Sequence, residues 1–491
     1  MLAKIKELSK DTAIYGISTI IGRFLGFLLV PFYTNVSSIS PSDFGVYSNV
    51  YAYLAFLNIV FIYGMDAAYM KYTSISGDAN KKKTFSTAYI FVFFSSLFLA
   101  IILFFLRNHF SALMEIPINF HHLTQYVILI LIFDTLSLIP FANLRLERKA
   151  GRFTAFKFTN ILVNISLNLV LILKYKMGIE AIFLANLISS IVTFLLLIPE
   201  ILNKLTFKID VALLKKMLWF GIPYLPASIA AMIVNVIDRP VVLAMTNSTT
   251  LGIYQANYKL GIFMMLFVSM FQYAWQPFFL NNAKEKNAKE LFAKILTLFM
   301  IVSSLIWIVL TLFVDNFARL EIYHHKTIIG REYLSGLVIV PIILLGYLFN
   351  GMYYNFQAGI YIKEKTKYFP YVTGAGALVN VVVNVLLIPV LGIIGAALAT
   401  LAAYMVMAAG LFYFAQKFYK IPYEYEKILK IITLIFITGI VYYYLYFQIG
   451  LILIYKLILL VGFLVSLLIL NIFEKNEIQY AINLFRSNFK K

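Results

Sequence analysis

The feature that most constrains this chain is a succession of apolar stretches, each about as long as a helix must be to cross a bilayer. Roughly 20 consecutive apolar residues are needed for one crossing, and here such stretches follow one another with only short polar breaks. Of the 491 residues, 62% are hydrophobic and 13% charged, where a soluble domain carries about 25% charge. No segment remains to build a soluble domain of ordinary size. The sequence therefore predicts an all-α polytopic membrane protein with about fourteen transmembrane helices. The first seven segments are Thr12–Thr34, Phe44–Met70, Phe85–Leu106, His121–Ala142, Phe153–Leu173, Ile179–Pro199 and Met217–Thr246. The second seven are Leu251–Leu280, Leu291–Val314, Tyr333–Tyr361, Tyr368–Val390, Gly392–Ala415, Ile428–Phe447 and Gly450–Phe473. The basic start MLAKIKELSK leads into a first segment without a small-residue cleavage pattern, and is read as an uncleaved helix.

Charge supports the count. The formal net charge is +19, and most of the lysines and arginines fall in alternate loops, on the side that holds both termini. Lys81–Lys83, the run from Arg145 to Lys157, and Lys363, Lys365 and Lys367 are examples. The opposite loops hold only Arg107, Lys174, Lys176, Arg319, Lys326 and Arg331. Cationic loops stay cytoplasmic during insertion, so both termini are expected in the cytoplasm. Missing one span would have scrambled every later loop. With the charge so used, contact with anionic lipid is expected and nucleic acid is not.

The chain also repeats itself. LVNISLNLVLI (Leu162–Ile172) returns as LVNVVVNVLLI (Leu378–Ile388), FGVYSNVY (Phe44–Tyr51) as LGIYQANY (Leu251–Tyr258), and MGIEAIFLANL (Met177–Leu187) as LGIIGAALATL (Leu391–Leu401). The three pairs keep their order at a nearly constant offset and match spans 2, 5 and 6 with spans 8, 11 and 12. Six spans is an even number, so both copies run the same way through the membrane. Such parallel repeats belong to secondary transporters, with the substrate path between the halves. The expected organisation is a six-helix lobe at 1–200, a second at 201–416, and two added helices with a tail at 417–491. Asn160, Asn164 and Asn168 share one helix face, repeated by Asn380 and Asn384, as interhelical hydrogen bonding requires.

Charges within spans are costly and mark function by default. Arg23 lies about 16 Å into the first span at 1.5 Å per residue, and Lys259 about 12 Å into the eighth. Asp134 sits midway along span 4, Asp66 near the inner end of span 2, and Asp238–Arg239 near the outer end of span 7. Lys456, near one end of the last span, is expected to extend its ammonium to the interface. GIPYLP (Gly221–Pro226) predicts a bend in span 7.

Enzymatic devices are not in evidence. The histidine pairs His121–His122 and His324–His325 are adjacent and diverge on a helix, so no metal site is expected. There is no P-loop, no cysteine, and no loop that gathers acid, base and nucleophile. Neither catalytic residues nor a cofactor are expected.

Five phrases then carry a resemblance that covers essentially the whole chain. They are SPSDFGVYS (Ser40–Ser48), GIPYLP, NVIDRP (Asn235–Pro240), LGIYQANYKLG (Leu251–Gly261) and AWQPF (Ala274–Phe278). In this order, with fourteen spans, the chain resembles polysaccharide-unit flippases of the O-antigen and capsule type. These belong to the MOP superfamily, which also holds MATE drug exporters and the lipid II flippase. The resemblance implies a two-lobed fold that moves an undecaprenyl-diphosphate-linked oligosaccharide between leaflets of a bacterial inner membrane by alternating access. It also implies a cationic cavity and an ion gradient or membrane potential, so Na+ or H+ is an expected partner. Arg23, Lys259 and Arg239 are then the candidates for the diphosphate. Tyr254, Asn257, Asn350 and Asn355 are candidates for the sugars, and Asp134, with Asp66, for ion coupling. The alternative on the same fold is an ion-coupled multidrug antiporter, which requires an acidic cavity.

Overall fold

The computed structural model describes residues 22, 24–75, 78–323, 326–470 and 472. Among these, twelve helical segments are long and apolar enough to cross a membrane, and two shorter apolar helices, Phe24–Asn35 (α1) and Leu453–Ile469 (α19), accompany them. Thirteen of the fourteen segments read from the sequence overlap one of these, and the first, Thr12–Thr34, does so over the part that lies within the described residues. The protein is a multi-pass, all-helical membrane protein, as backbone that must satisfy its own hydrogen bonds in lipid requires.

Several spans are broken into shorter helices. Span 2 is α2 (Pro41–Ile62) and α3 (Met65–Ile75), separated at Tyr63 and Gly64, both at positive φ. Span 3 follows as α4 (Asp78–Phe105), with a short α5 (Arg107–Leu113) after it. Spans 4 to 6 are α6 (Leu123–Leu146), α7 (Ala150–Leu173) and α8 (Ile179–Lys204). Span 7 is divided into α9 (Val211–Gly221), α10 (Tyr224–Val236) and α11 (Asp238–Met245). Pro223 falls in the first of these breaks and Pro226 and Pro240 lie just beyond the two breaks, where a missing N–H and a fixed ring oppose a continuous ladder. The predicted bend is thus a true interruption. Span 8 is α12 (Ser248–Tyr258), a 3-10 turn at Lys259–Gly261, and α13 (Ile262–Asn282). The remaining helices are α14 (Ala288–Ala318), α15 (Val340–Ile362), α16 (Tyr368–Leu391), α17 (Ile393–Phe418), α18 (Tyr425–Tyr444) and α19.

The repeated phrases take matched conformations. Asn168 Nδ2 donates to the Asn164 carbonyl at 2.8 Å, and Asn384 Nδ2 to the Asn380 carbonyl at 2.9 Å. Gly178 (φ 62°) and Gly392 (φ 56°) precede α8 and α17 in the same left-handed region, which a residue with a Cβ rarely adopts. The third pair meets directly. A Cβ on Gly45 would lie 1.8 Å from the Ser248 carbonyl oxygen, and one on Gly252 would lie 1.9 Å from that of Pro41. The first turns of α2 and α12 therefore pack backbone to backbone, with Ser42 Oγ 2.6 Å from Ser248 Oγ.

On the same side, the connection from α14 to α15 folds back as a small antiparallel hairpin, β1 (Glu321–Tyr323) with β2 (Lys326–Thr327), and a 3-10 helix at Arg331–Ile339. It is fastened to the end of α1, where Asn35 Nδ2 donates to the Thr327 carbonyl at 2.6 Å and Gly330 N donates to Thr34 Oγ1 at 3.1 Å. Toward the basic side, the break in span 2 touches the break in span 7. Gly64 packs on the Gly221 backbone, and Lys71 Nζ lies 3.8 Å from the centre of the Phe220 ring.

Lys456 corrects its expectation. It does not reach the interface, because α19 packs on α14. Its side chain is 2% exposed and donates to Asp315 Oδ1 and Oδ2 at 2.7 and 2.8 Å, and to Asn316 Oδ1 at 2.5 Å. Removing one partner of such a pair leaves the other charge uncompensated. Lys456→Met is expected to cost on the order of 3 kcal/mol and to lower the melting temperature of the purified protein. Adding Asp315→Leu should recover much of the loss. A single variant that melts with the parent would show that the pair does not hold α19.

Candidate functional site

Two polar regions interrupt the apolar interior, and both lie against the repeated helices. The first forms where α12 ends. Asn247 caps that helix, its Oδ1 accepting from Thr250 N at 2.8 Å, and the Gly252 contact fixes how close it sits to α2. Three turns later the chain tightens into the Lys259–Gly261 turn. This carries Lys259 Nζ to 5.2 Å from the centre of the Phe44 ring and 5.4 Å from that of Tyr47. Across from it, α11 begins with Asp238, which is buried and accepts from the Tyr254 hydroxyl at 2.5 Å. Arg239 follows. Its guanidinium is close enough to Lys259 and Tyr47 to act on both electrostatically, and its buried Nε has no hydrogen-bond partner. Among the described residues neither Lys259 nor Arg239 has a carboxylate within ion-pair distance. The one acid close by, Asp238, is held by a tyrosine.

An aromatic wall continues from this pair. Tyr33, Tyr47, Tyr51 and Phe183 follow one another with ring centres 6.2, 4.7 and 5.2 Å apart. The wall is anchored by hydroxyls, Tyr33 donating to Asn168 Oδ1 at 2.9 Å and Tyr51 accepting from Asn186 Nδ2 at 2.8 Å.

Asn186 also lines the second region, a cavity of about 420 Å³ enclosed by α2, α6, α7 and α8. Asp134 and Lys157 face it together and act on each other electrostatically. Asp134 Oδ1 accepts from Ser190 Oγ at 2.7 Å, and Lys157 Nζ lies 4.3 Å from the centre of the Phe141 ring. Asn58 Oδ1, on the α2 wall, is buried without a partner. The cavity thus presents one acid, one lysine, Arg145 at its basic-side end, and several amide and hydroxyl groups. That set can hold a small ion or exchange a proton.

The expected site residues divide accordingly. Lys259 and Arg239 come together, and Asp134 lies in the neighbouring cavity. Arg23 lies outside the described residues. Asp66 stands apart in the first turn of α3, where the helix dipole favours an acid. Asn257 is fully buried and donates to the Ile253 and Tyr333 carbonyls, which ties α12 to the 3-10 helix at Arg331–Ile339. Asn350 is half-buried on α15, one turn from Tyr347. Asn355 is fully buried, its carbonyl accepting from Trp275 Nε1. Sequence reasoning missed Tyr47 and Tyr51 as a wall, although the repeated Gly-apolar-Tyr-x-x-x-Tyr pattern contained both. It also counted Lys157 among the loop charges, when two turns of α7 carry it inward.

The fold has close counterparts among solved structures. A lipid II flippase MurJ in an inward closed conformation superposes with a TM-score of 0.73 at 18% identity, covering 93% of this chain and 98% of that one. An inward-facing MATE family multidrug resistance transporter of the MOP superfamily gives 0.65 at 14% identity, covering 81% and 97%. The Vibrio cholerae MATE transporter VcmN in its bent form gives 0.57 at 11% identity, covering 84% and 98%. At such identities the likeness establishes the fold alone, which the chain shares with these transporters. No curated protein matches the chain. Residues 38–321 match the family described as polysaccharide biosynthesis protein. With that match taking in more than half of its length, the chain belongs to the polysaccharide biosynthesis protein family.

Proposed function

We propose that the protein flips an undecaprenyl-diphosphate-linked oligosaccharide from the cytoplasmic to the outer leaflet of a bacterial inner membrane, for a surface polysaccharide such as O-antigen or capsule. The observation that carries this reading is the pair Lys259 and Arg239, two cations within the spans that form no ion pair with a carboxylate among the described residues, Asp238 acting on Arg239 only through its field. An isolated cation in hydrocarbon is unfavourable, and an anionic group entering beside it restores the balance. A diphosphate offers several oxygens, which suit a guanidinium by paired hydrogen bonds and a lysine as a point charge. The lipid tail stays in the bilayer while tyrosine hydroxyls and asparagine amides meet the sugars. Family membership and the fold shared with a lipid II flippase support the same reading.

In this mechanism two six-helix lobes alternate in access. The contact of α2 with α12 closes the outer side, both termini lie in the cytoplasm, and substrate enters from the basic side. Asp134 in its cavity is the coupling residue for Na+ or H+, with Asp66 as the second candidate acid. The chain acts as a transporter, with no bond made or broken.

Lys259→Ala and Arg239→Ala are each expected to lower flipping by about tenfold or more, the worth of one lost charge-assisted hydrogen bond. Membrane insertion should be unchanged. Complementation of a strain lacking its own flippase, scored by surface polysaccharide, reads the effect; normal flipping by both variants excludes the pair as the headgroup contact. The chain contains no cysteine, so Ser42→Cys with Ser248→Cys gives one defined pair across the outer seam. Oxidation of that variant should stop transport and a reductant should restore it. Transport that continues through fully cross-linked protein would show that this seam stays shut throughout the cycle.

The Asp134 cavity favours a second reading, drug export. Drug resistance on overexpression that is lost in Asp134→Asn, without any effect on surface polysaccharide, would decide for it.

A further inference from the structure

The lysines on the basic side are not equivalent. At the ends of α6, α7 and α8 several basic residues are neutralised by carboxylates. Glu200 takes Lys149 and Arg152 at 3.0 Å each, Glu147 takes Lys149 at 2.7 Å and also Lys204, and Asp210 takes Lys83 at 2.8 Å. On α18, Lys427 and Lys430 pair with Glu424 and Glu426 at 2.7 and 2.6 Å.

The turn between α15 and α16 is different. Lys363, Lys365 and Lys367 crowd it, and Lys289 approaches from the start of α14. These four contact rings instead of acids. Lys289 Nζ and Lys363 Nζ lie 5.0 and 5.8 Å from the centre of the Tyr419 ring, Lys365 Nζ 5.8 Å from Phe418, and Lys367 Nζ 5.5 Å from Tyr368. The platform is itself packed, with the Tyr368 ring 4.4 Å from Phe414 and 5.1 Å from Phe418. Glu364, the one acid inside the turn, forms an ion pair with none of the four among the described residues. A ring holds an ammonium from one side and leaves N–H donors free on the other. Tyr371 and Tyr413, 71% and 62% exposed, stand beside the platform, as tyrosines do at the level of lipid headgroups. The anions available at that level are lipid phosphates.

We infer that the lysine-ringed Tyr368–Phe418–Tyr419 platform is a binding site for the headgroup of an anionic phospholipid in the leaflet on the basic side. The charge is left without protein partners because a lipid phosphate supplies them, which fastens the α15–α16 end of the molecule to its membrane. The paired lysines around α7 have no such vacancy. This site is independent of the transported substrate.

The test uses the full chain, purified in neutral detergent and titrated with phosphatidylglycerol or phosphatidylcholine, with bound lipid read by native mass spectrometry. The parent should prefer phosphatidylglycerol by about tenfold or more, given the contribution of several lysines near one anionic group. Lys289→Gln/Lys363→Gln/Lys365→Gln should lose that preference while melting like the parent without lipid. The control Lys208→Gln/Lys215→Gln/Lys216→Gln removes the same charge from α9 and its approach, and should keep it. A platform variant that retains the preference, or a control that loses it equally, would overturn the assignment. So would complete displacement of the lipid by inorganic phosphate at matched concentration, because the site would then recognise phosphate and not a lipid.

Discussion

The contact of Gly45 on α2 with Gly252 on α12 is the constraint from which the candidate site follows. With no Cβ on either residue, each helix places a backbone carbonyl where the other's side chain would stand. Close approach of this kind is how helices associate in lipid, where burial of apolar surface offers no advantage over contact with acyl chains. Its consequence is local and chemical. Phe44 and Tyr47, one residue before and two after Gly45, are brought beneath Lys259, which lies seven residues after Gly252. A wider separation would leave the lysine without its rings and the Ser42–Ser248 contact open.

The distribution of compensated and uncompensated charge then distinguishes scaffold from site. Lys456 is held by Asp315 and Asn316, Asp238 by the Tyr254 hydroxyl, and Glu200 by two cations. For Lys456 and Glu200 the unfavourable desolvation is offset by partners within the protein, while Asp238 keeps Oδ1 without a hydrogen bond. Lys259 has two rings and the field of Arg239, and among the described residues neither cation forms an ion pair with a carboxylate. The same contrast recurs at the membrane surface, where the lysines around α7 are neutralised and those of the α15–α16 turn are not.

The proposed alternating access requires tight contacts that can separate. Where α2 meets α12, a serine pair and a glycine pair join the two helices, and a hairpin is fastened nearby by single hydrogen bonds. The contact toward the basic side joins two helix breaks, Tyr63–Gly64 and Gly221–Pro223, where the backbone ladder is already interrupted.

The sequence by itself determined the spans, because a bilayer demands a length and a polarity that can be counted residue by residue. It also displayed the repeated phrases, whose local conformations match, Asn168 and Asn384 repeating one hydrogen bond and Gly178 and Gly392 one left-handed turn. The charges within spans, Lys259, Arg239 and Asp134, were legible because charge is rare in such segments. Only the tertiary structure decided what those charges meet. Lys456 finds Asp315 from a helix far away in sequence, Lys157 turns inward from what reads as a loop charge, and Asn257 is enclosed by the backbone of Tyr333. Neither hydropathy nor periodicity records which helix lies beside which, and a charge becomes site or scaffold according to its neighbour.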